Sequence, residues 1–88
     1  MAKKSPSFSG NTALVGLGEA IRATRKAKGL SQEALAELAD IDRSYMGGIE
    51  RGEHNIAIMN LLKIAEALGV KASFLMDDCG NHPSDLRT

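Results

Sequence analysis

Aromatic residues are scarce in this sequence of 88 residues: Phe8, Tyr45 and Phe74 are the three present, and tryptophan is absent. A core must therefore come mainly from Leu, Ile, Ala and Met, which favours packed helices over a sheet because aromatic and β-branched strand formers are few. The length predicts one small domain, since a chain of this size rarely forms two cores. Together these features predict an all-α fold.

Cysteine and long apolar runs are also nearly absent. Cys79 is alone, which excludes an internal disulfide and fits a reducing compartment. No apolar run approaches the ~20 residues that a membrane span needs, and no signal-peptide core follows Lys3 and Lys4. We therefore expect a cytoplasmic protein without a membrane partner.

No catalytic or metal-binding pattern stands out. Neither a glycine-rich phosphate loop nor a nucleophile–base pair can be assembled, so we do not expect an enzyme. Cys79 and His82 have the spacing of metal ligands, but a second ligand pair is missing. We expect no metal, no cofactor and no small-molecule ligand.

Charge is unevenly distributed although the formal net charge is zero. Residues 1–30 contain six basic groups and one acidic group, Glu19, which gives a balance of +5. The remainder of the chain must then carry a net charge of −5. Such an asymmetry can mark a nucleic-acid surface, but a solvated basic helix has the same pattern. Both interpretations stay open on charge alone.

Five segments carry apolar residues at helical spacing, at about 13–28, 31–39, 43–51, 58–68 and 71–76, and none alternates convincingly as a strand would. Polar stretches at 1–11 and 77–88 are predicted to be a flexible arm and a flexible tail around a domain at 12–76. Ser31 and Asp42 are placed to cap the second and third helices. The predicted inward residues are Leu14, Leu17, Ile21 and Thr24, then Leu35, Leu38 and Ala39, then Met46 and Ile49, and finally Ile58, Leu61, Ile64, Ala65 and Leu68.

The second and third helices are short and separated by a tight turn at 40–42, which is typical of a helix-turn-helix but also of many helical hairpins. Gly47 and Gly48 interrupt the third helix, at a cost of roughly 1 kcal/mol each relative to alanine. They are predicted to lie on its outer side, because Met46 and Ile49 take the inner side. Either a ligand approaches this backbone closely, or an exposed helix tolerates the cost.

Three motifs occur together: "IRATRKAKGLSQEALA", "IERGEHN" and "LLKIAEALGV". With them the chain resembles, over residues 17–75, the Cro/C1-type (XRE-like) helix-turn-helix family of phage repressors and bacterial regulators. The stretch "DRSYMGGIERGEHN" is most similar to the controller proteins of restriction–modification systems. The resemblance implies a five-helix, lambda-repressor-like DNA-binding domain, usually dimeric, whose third helix lies in the DNA major groove.

Site residues follow from the resemblance by position. It implies base readout by the recognition helix, from Arg43, Ser44, Tyr45, Gly47 and Gly48. It implies phosphate contacts from Gln32, Arg51, His54 and Asn55. Arg25 and Glu50 would form an ion pair beneath the recognition helix. Leu62, Phe74 and Leu75, which are apolar beyond the core stripe, are the candidates for the dimer interface.

Three positions depart from the family pattern. Asp40 stands where the turn often has glycine, and aspartate tolerates a left-handed backbone better than most residues. Ala34 removes the capping box, so Ser31 must cap alone. Ala57 leaves the fourth helix without its usual hydroxyl cap.

The expected function is a sequence-specific, double-stranded-DNA-binding transcriptional regulator of bacterial or phage origin, acting as a homodimer on an inverted repeat. The alternative is a protein-interaction module on the same fold, such as an antitoxin-like partner, with secondary DNA binding. Arg43, Arg51 and Gln32 in their family positions favour the first hypothesis.

Overall fold

The computed structural model describes residues 11–77 and contains five helices. They are α1 (Thr12–Ala27), α2 (Gln32–Ala39), α3 (Arg43–Glu50), α4 (Ile58–Leu68) and α5 (Ala72–Leu75). Residues 11–77 contain no strand, so the predicted all-α fold is confirmed. The predicted arm and tail, together with Cys79 and His82, lie outside the described residues except for their innermost positions, Asn11 and Asp77. No helix within this range is both long and apolar enough to cross a membrane.

Polar side chains set the starts of the first three helices. Asn11, Ser31 and Asp42 each accept a hydrogen bond from a backbone N–H in the first turn of α1, α2 and α3 respectively. The caps at Ser31 and Asp42 were predicted, whereas the one at Asn11 was not. Helix α4 begins after Ala57 with no side-chain cap, as its sequence predicts.

The turn between α2 and α3 depends on Asp40, which adopts the left-handed conformation at φ 59° and ψ 49°. Its N–H donates to the carbonyl of Glu37, and the N–H of Ile41 donates to the carbonyl of Ala36. These bonds satisfy the last carbonyls of α2. Aspartate therefore takes the place of glycine in this turn, as predicted.

The core is one cluster of buried apolar side chains contributed by all five helices, centred on Ile21, Leu35, Met46, Ile64 and Leu75. Helix α2 packs on both α3 and α4, while α1 packs mainly on α3. This arrangement places α3 at one side of the molecule, held from behind by α1 and α2.

Two predicted core residues are exposed instead. Leu38 and Ile58 each expose 61% of their surface. On a helical wheel Leu38 lies about 110° from the centre of the buried arc of α2, and Ile58 about 70° from that of α4. Ala36, which was not predicted, completes the buried arc of α2.

A glycine allows α1 and α3 to approach closely. A Cβ atom at Gly18 would lie 2.5 Å from the carbonyl oxygens of Ile49 and Glu50. Real Cβ atoms do not come this close to backbone oxygens. Gly18 therefore lets the end of α3 sit directly on α1, which fixes where the recognition helix lies.

Candidate nucleic-acid interface

The exposed surface of α3 begins at its N-terminus, where Arg43 and Ser44 are solvent-accessible. The Asp42 carboxylate accepts from the backbone N–H groups of Ser44 at 3.0 Å and Tyr45 at 3.2 Å. On the opposite side, Met46 and Ile49 are buried in the core. The first turn of α3 is thus ordered by its cap and presents its polar side chains outward.

Arg25 and Glu50 form a buried ion pair behind α3. Arg25 Nε donates to Glu50 Oε2 at 2.7 Å, and Arg25 Nη2 donates to Glu50 Oε1 at 3.0 Å. The two side chains expose only 9% and 3% of their surface. Arg25 Nη1 also donates to the carbonyl of Leu30 at 3.0 Å. Two parallel bonds fix orientation as well as distance, so the pair ties the end of α3 to α1 and to the start of the helix-turn-helix.

Gln32 joins this pair from the first position of α2. Its Nε2 donates to Glu50 Oε1 at 3.0 Å, a bond that was not predicted. An amide nitrogen carries two hydrogens, so one remains for a phosphate oxygen. Gln32 therefore has a structural partner in addition to the phosphate contact that the resemblance implies.

Gly47 and Gly48 are buried, because side chains from neighbouring segments cover this part of α3, so neither glycine leaves the helix backbone exposed. A Cβ at Gly47 would lie 3.2 Å from Arg51 Nη1 and 3.3 Å from Gln32 Oε1. A Cβ at Gly48 would overlap the imidazole of His54. The covering side chains are three of the four that were predicted to contact phosphates, so they lie directly on the recognition helix.

The His54 ring also contacts the Tyr45 ring. Their centroids are 4.8 Å apart and the planes are tilted by 34°. Both residues are half-buried, whereas Asn55, the next predicted phosphate contact, is exposed. The aromatic contact joins the loop after α3 to the side of that helix.

Arg51 is paired with a neighbouring carboxylate on the surface. Arg51 Nε donates to Glu53 Oε2 at 2.9 Å, and Arg51 Nη2 donates to Glu53 Oε1 at 3.1 Å. The hydrogen bond from Arg51 holds the pKa of the Glu53 carboxyl below its ordinary value, and the same bond raises the pKa of Arg51. The Arg51 guanidinium, for which a phosphate contact was predicted, is therefore already bonded to the Glu53 carboxylate.

The predicted dimer interface is exposed in part. Leu62 and Phe74 expose 45% and 58% of their surface, but Leu75 is fully buried in the core. Leu75 was wrongly placed in the interface, because the short helix α5 turns it inward. Further large apolar residues of α4 and the α5 region are exposed beside the predicted ones: Ile58, Met59 and Met76.

Residues 11–77 contain no group of three or more His, Cys, Asp or Glu side chains that could hold a metal ion. The assembled features are a capped, outward-facing α3, a buried Arg25–Glu50 pair behind it that the half-buried Gln32 joins, and basic and amide side chains at its edge. They define a helix-turn-helix domain of the DNA-binding type.

Comparison with known sequences agrees with this class. The helix-turn-helix family matches residues 21–75, more than half of the chain, and the protein belongs to this family. The predicted Cro/C1-type relationship is confirmed. Because the family and its matched relatives are transcriptional regulators, the prediction that the protein is not an enzyme is confirmed as well.

Controller proteins are among the relatives. The control protein C.MunI of Mycoplasma sp is 39% identical over 69 residues, covering 77% of this chain and 93% of the relative. The crystal structure of the restriction-modification controller protein C.AhdI from Aeromonas hydrophila is 52% identical with a TM-score of 0.69, covering 70% of this chain and 94% of that one. C.Esp1396I bound to a 19 base pair DNA duplex is 34% identical with a TM-score of 0.68, covering 74% and 87%.

Proposed function

We propose that this transcriptional regulator binds an inverted-repeat operator as a homodimer, with α3 of each subunit in the major groove. Arg43 and Ser44 address base edges, while Gln32, Arg51 and Asn55 address the phosphates on either side. Arginine can donate two hydrogen bonds to guanine O6 and N7, which is the commonest specific contact in this groove. The similarity to controller proteins supports a role in a restriction–modification system and a cytoplasmic location.

The observation that carries this proposal is the way α3 is held. The C-terminal end of α3 is fixed by Glu50, which accepts hydrogen bonds from Arg25 and Gln32. The N-terminal residues of the helix are capped by Asp42 and exposed to solvent. Base readout needs side chains held at a constant distance and angle from the duplex, which only a rigid support provides.

Dimerisation follows from the size of the reading surface. One short recognition helix reads only a few base pairs, so useful affinity requires two half-sites about one helical turn (~34 Å) apart. The exposed apolar residues Leu62 and Phe74, with Met59 beside them, offer a surface for self-association. The same surface could instead dock a different protein, which is the alternative function.

Selection of bound duplexes from a random DNA pool tests the proposal. We expect an enriched sequence with two-fold symmetry and half-sites about 10 base pairs apart. Binding of that duplex and of a scrambled one should then be compared at two salt concentrations, because non-specific binding is mostly electrostatic and falls steeply with salt. Failure to enrich any sequence, with equal binding of both duplexes, would contradict the proposal and favour the protein-interaction function.

A further inference from the structure

His54 reaches the recognition helix because of how α3 ends. Gly52 is left-handed at φ +74°. Its N–H donates to the carbonyl of Ile49, and the N–H of Glu53 donates to the carbonyl of Gly48. This pair of bonds is the Schellman arrangement, which reverses the chain at a helix C-terminus. The residue that follows, His54, is thereby directed back along the side of α3.

The imidazole fills a place left vacant by Gly48. A Cβ at this position would overlap His54 Nε2 and Cδ2 and lie 3.5 Å from Cε1. The ring therefore occupies the space in which the side chain of residue 48 would begin. Tyr45 packs against the ring from the side, at 4.8 Å between centroids.

The space beside Gly48 that the ring fills lies on the groove-facing side of α3. Positions four apart share one face of a helix, so residue 48 lies one turn beyond the exposed Ser44. Within residues 11–77, the side-chain hydrogen bonds include none to either nitrogen of the His54 ring. Nε2 is the ring atom nearest to the position of a Gly48 Cβ, whereas Nδ1 lies farther from it than Cε1 does. Nδ1 is therefore the nitrogen that remains to donate or accept a hydrogen bond at a base edge.

We infer that His54 is a specificity-determining residue, delivered from the loop into the Gly48 notch so that it reads a base edge in place of a side chain at position 48. The missing side chain of Gly48 leaves the space that the ring fills, and the contact with Tyr45 holds the ring in that space. The inference rests on the proposed function, and it reassigns His54 from the phosphate contact that the resemblance implies to base readout.

The test compares four proteins on the selected operator, on operators substituted at single base pairs, and on a scrambled duplex. The proteins are the wild type, His54→Ala, Gly48→Ala and the double variant. We expect each single variant to lower the ratio of operator to scrambled affinity by about tenfold or more, with the loss concentrated at one base pair per half-site. The double variant should lose no more than His54→Ala, because both changes remove the same contact.

Gly47→Ala is the matched control. It adds the same methyl group to the neighbouring position, where a Cβ meets the ends of the Arg51 and Gln32 side chains. Both side chains are assigned to phosphates, so the variant can change the affinity for operator and scrambled duplex together without changing their ratio. We expect it to retain the discrimination at the base pair that His54 reads. Thermal melting of every variant separates loss of contact from loss of fold. Alanine at Gly48 is the better helix former but displaces the His54 ring from its contact with Tyr45, so we expect a melting temperature close to that of His54→Ala.

The outcomes distinguish the inference from the proposed function. Equal weakening of operator and scrambled duplex by His54→Ala would show a phosphate contact and overturn the inference, provided that Arg43→Ala still reduces discrimination. Unchanged discrimination in Gly48→Ala would overturn it too. Equal affinity of the wild type itself for operator and scrambled duplex would overturn both the inference and the proposed function.

Discussion

At the scale of single residues, the two arginine–carboxylate pairs differ mainly in their surroundings. Arg25 and Glu50 are buried, whereas Arg51 and Glu53 are exposed to solvent. Removing one partner of a buried pair leaves an uncompensated charge, which typically costs 3–5 kcal/mol, roughly. We therefore expect Glu50→Ala to lower the free energy of unfolding by about that amount, measured by urea denaturation.

Glu53→Ala is the control for this prediction. It removes a carboxylate with the same bidentate geometry, but water screens the exposed pair and solvates the arginine that is left. We expect no measurable change in stability. If Glu50→Ala and Glu53→Ala lowered the free energy of unfolding by similar amounts, burial would not determine how much the Arg25–Glu50 pair contributes to stability.

Glu53 should instead affect DNA binding, because its carboxylate competes with phosphate for Arg51. We expect Glu53→Gln to raise affinity for operator and scrambled duplex by the same factor. Arg51→Ala should lower both and reduce the slope of log K against log salt by about one per subunit. Binding measured over a salt series checks both changes, and a selective effect on the operator would contradict them.

The pH dependence of the Glu53 effect follows from the lowered pKa of this carboxyl. A glutamate with a depressed pKa stays ionised as the pH falls through the usual range for this residue, so Arg51 remains paired there. The advantage of Glu53→Gln should therefore persist at mildly acidic pH and disappear only below the lowered pKa. Affinity ratios at a series of pH values, with Glu66→Gln as a surface control, would show this.

Arg43 and Gln32 should fail in different ways when replaced by alanine. Loss of a guanine contact typically costs ~1–3 kcal/mol of discrimination at one base pair, so Arg43→Ala should relax selectivity. Gln32→Ala should weaken both duplexes together, since a phosphate carries no sequence information directly. It should also lower stability, because Glu50 loses one of its donors. Equal weakening of both duplexes by Arg43→Ala would make Arg43 a backbone contact.

At the scale of helices, Gly18 controls how α1 and α3 pack. Alanine normally stabilises a helix relative to glycine, but here its Cβ would meet the backbone oxygens of Ile49 and Glu50. Overpacking of this kind typically costs 1–3 kcal/mol, roughly, so we expect Gly18→Ala to destabilise the protein. Gly47→Ala, which meets only side-chain ends, should not. Urea denaturation of both variants decides the point.

The helices themselves were largely predictable from the sequence, because caps and turn residues act locally. Ser31, Asp40 and Asp42 each fulfil the role that their chemistry predicts. Side-chain placement across helices was less predictable. Leu38 and Leu75 were misplaced because an apolar residue at the edge of a stripe can face either way, and only the packing partner decides.

In the candidate site, too, the contacts between different helices and loops could not be predicted from the spacing of residues in the sequence. The Arg25–Glu50 pair followed from a family resemblance and not from spacing, since its members are 25 positions apart. The ring of His54 over Gly48 depends on the direction in which the chain leaves α3. That direction is set by two backbone hydrogen bonds and by a left-handed Gly52, and no sequence period reports it.

At the scale of the whole molecule, the proposed function requires two copies of the chain. We expect Leu62→Glu and Phe74→Glu each to yield a folded monomer, because a charge on an apolar interface must be desolvated when the interface forms. Leu38→Glu is the matched control. Leu38 is an exposed leucine, at 61% against 45% for Leu62. It lies beside Lys63 and Ala67, which are about 100° and 140° around α4 from Leu62.

Sedimentation at micromolar concentration, with and without the selected operator, measures the outcome. We expect the wild type and Leu38→Glu to dimerise and to discriminate the operator, and the two interface variants to sediment as monomers. These monomers should retain only weak binding, since one recognition helix reads a single half-site. A wild type that stays monomeric and binds DNA one subunit at a time would contradict the dimer. Loss of dimerisation in Leu38→Glu would place the interface on the α2 side of α4 instead.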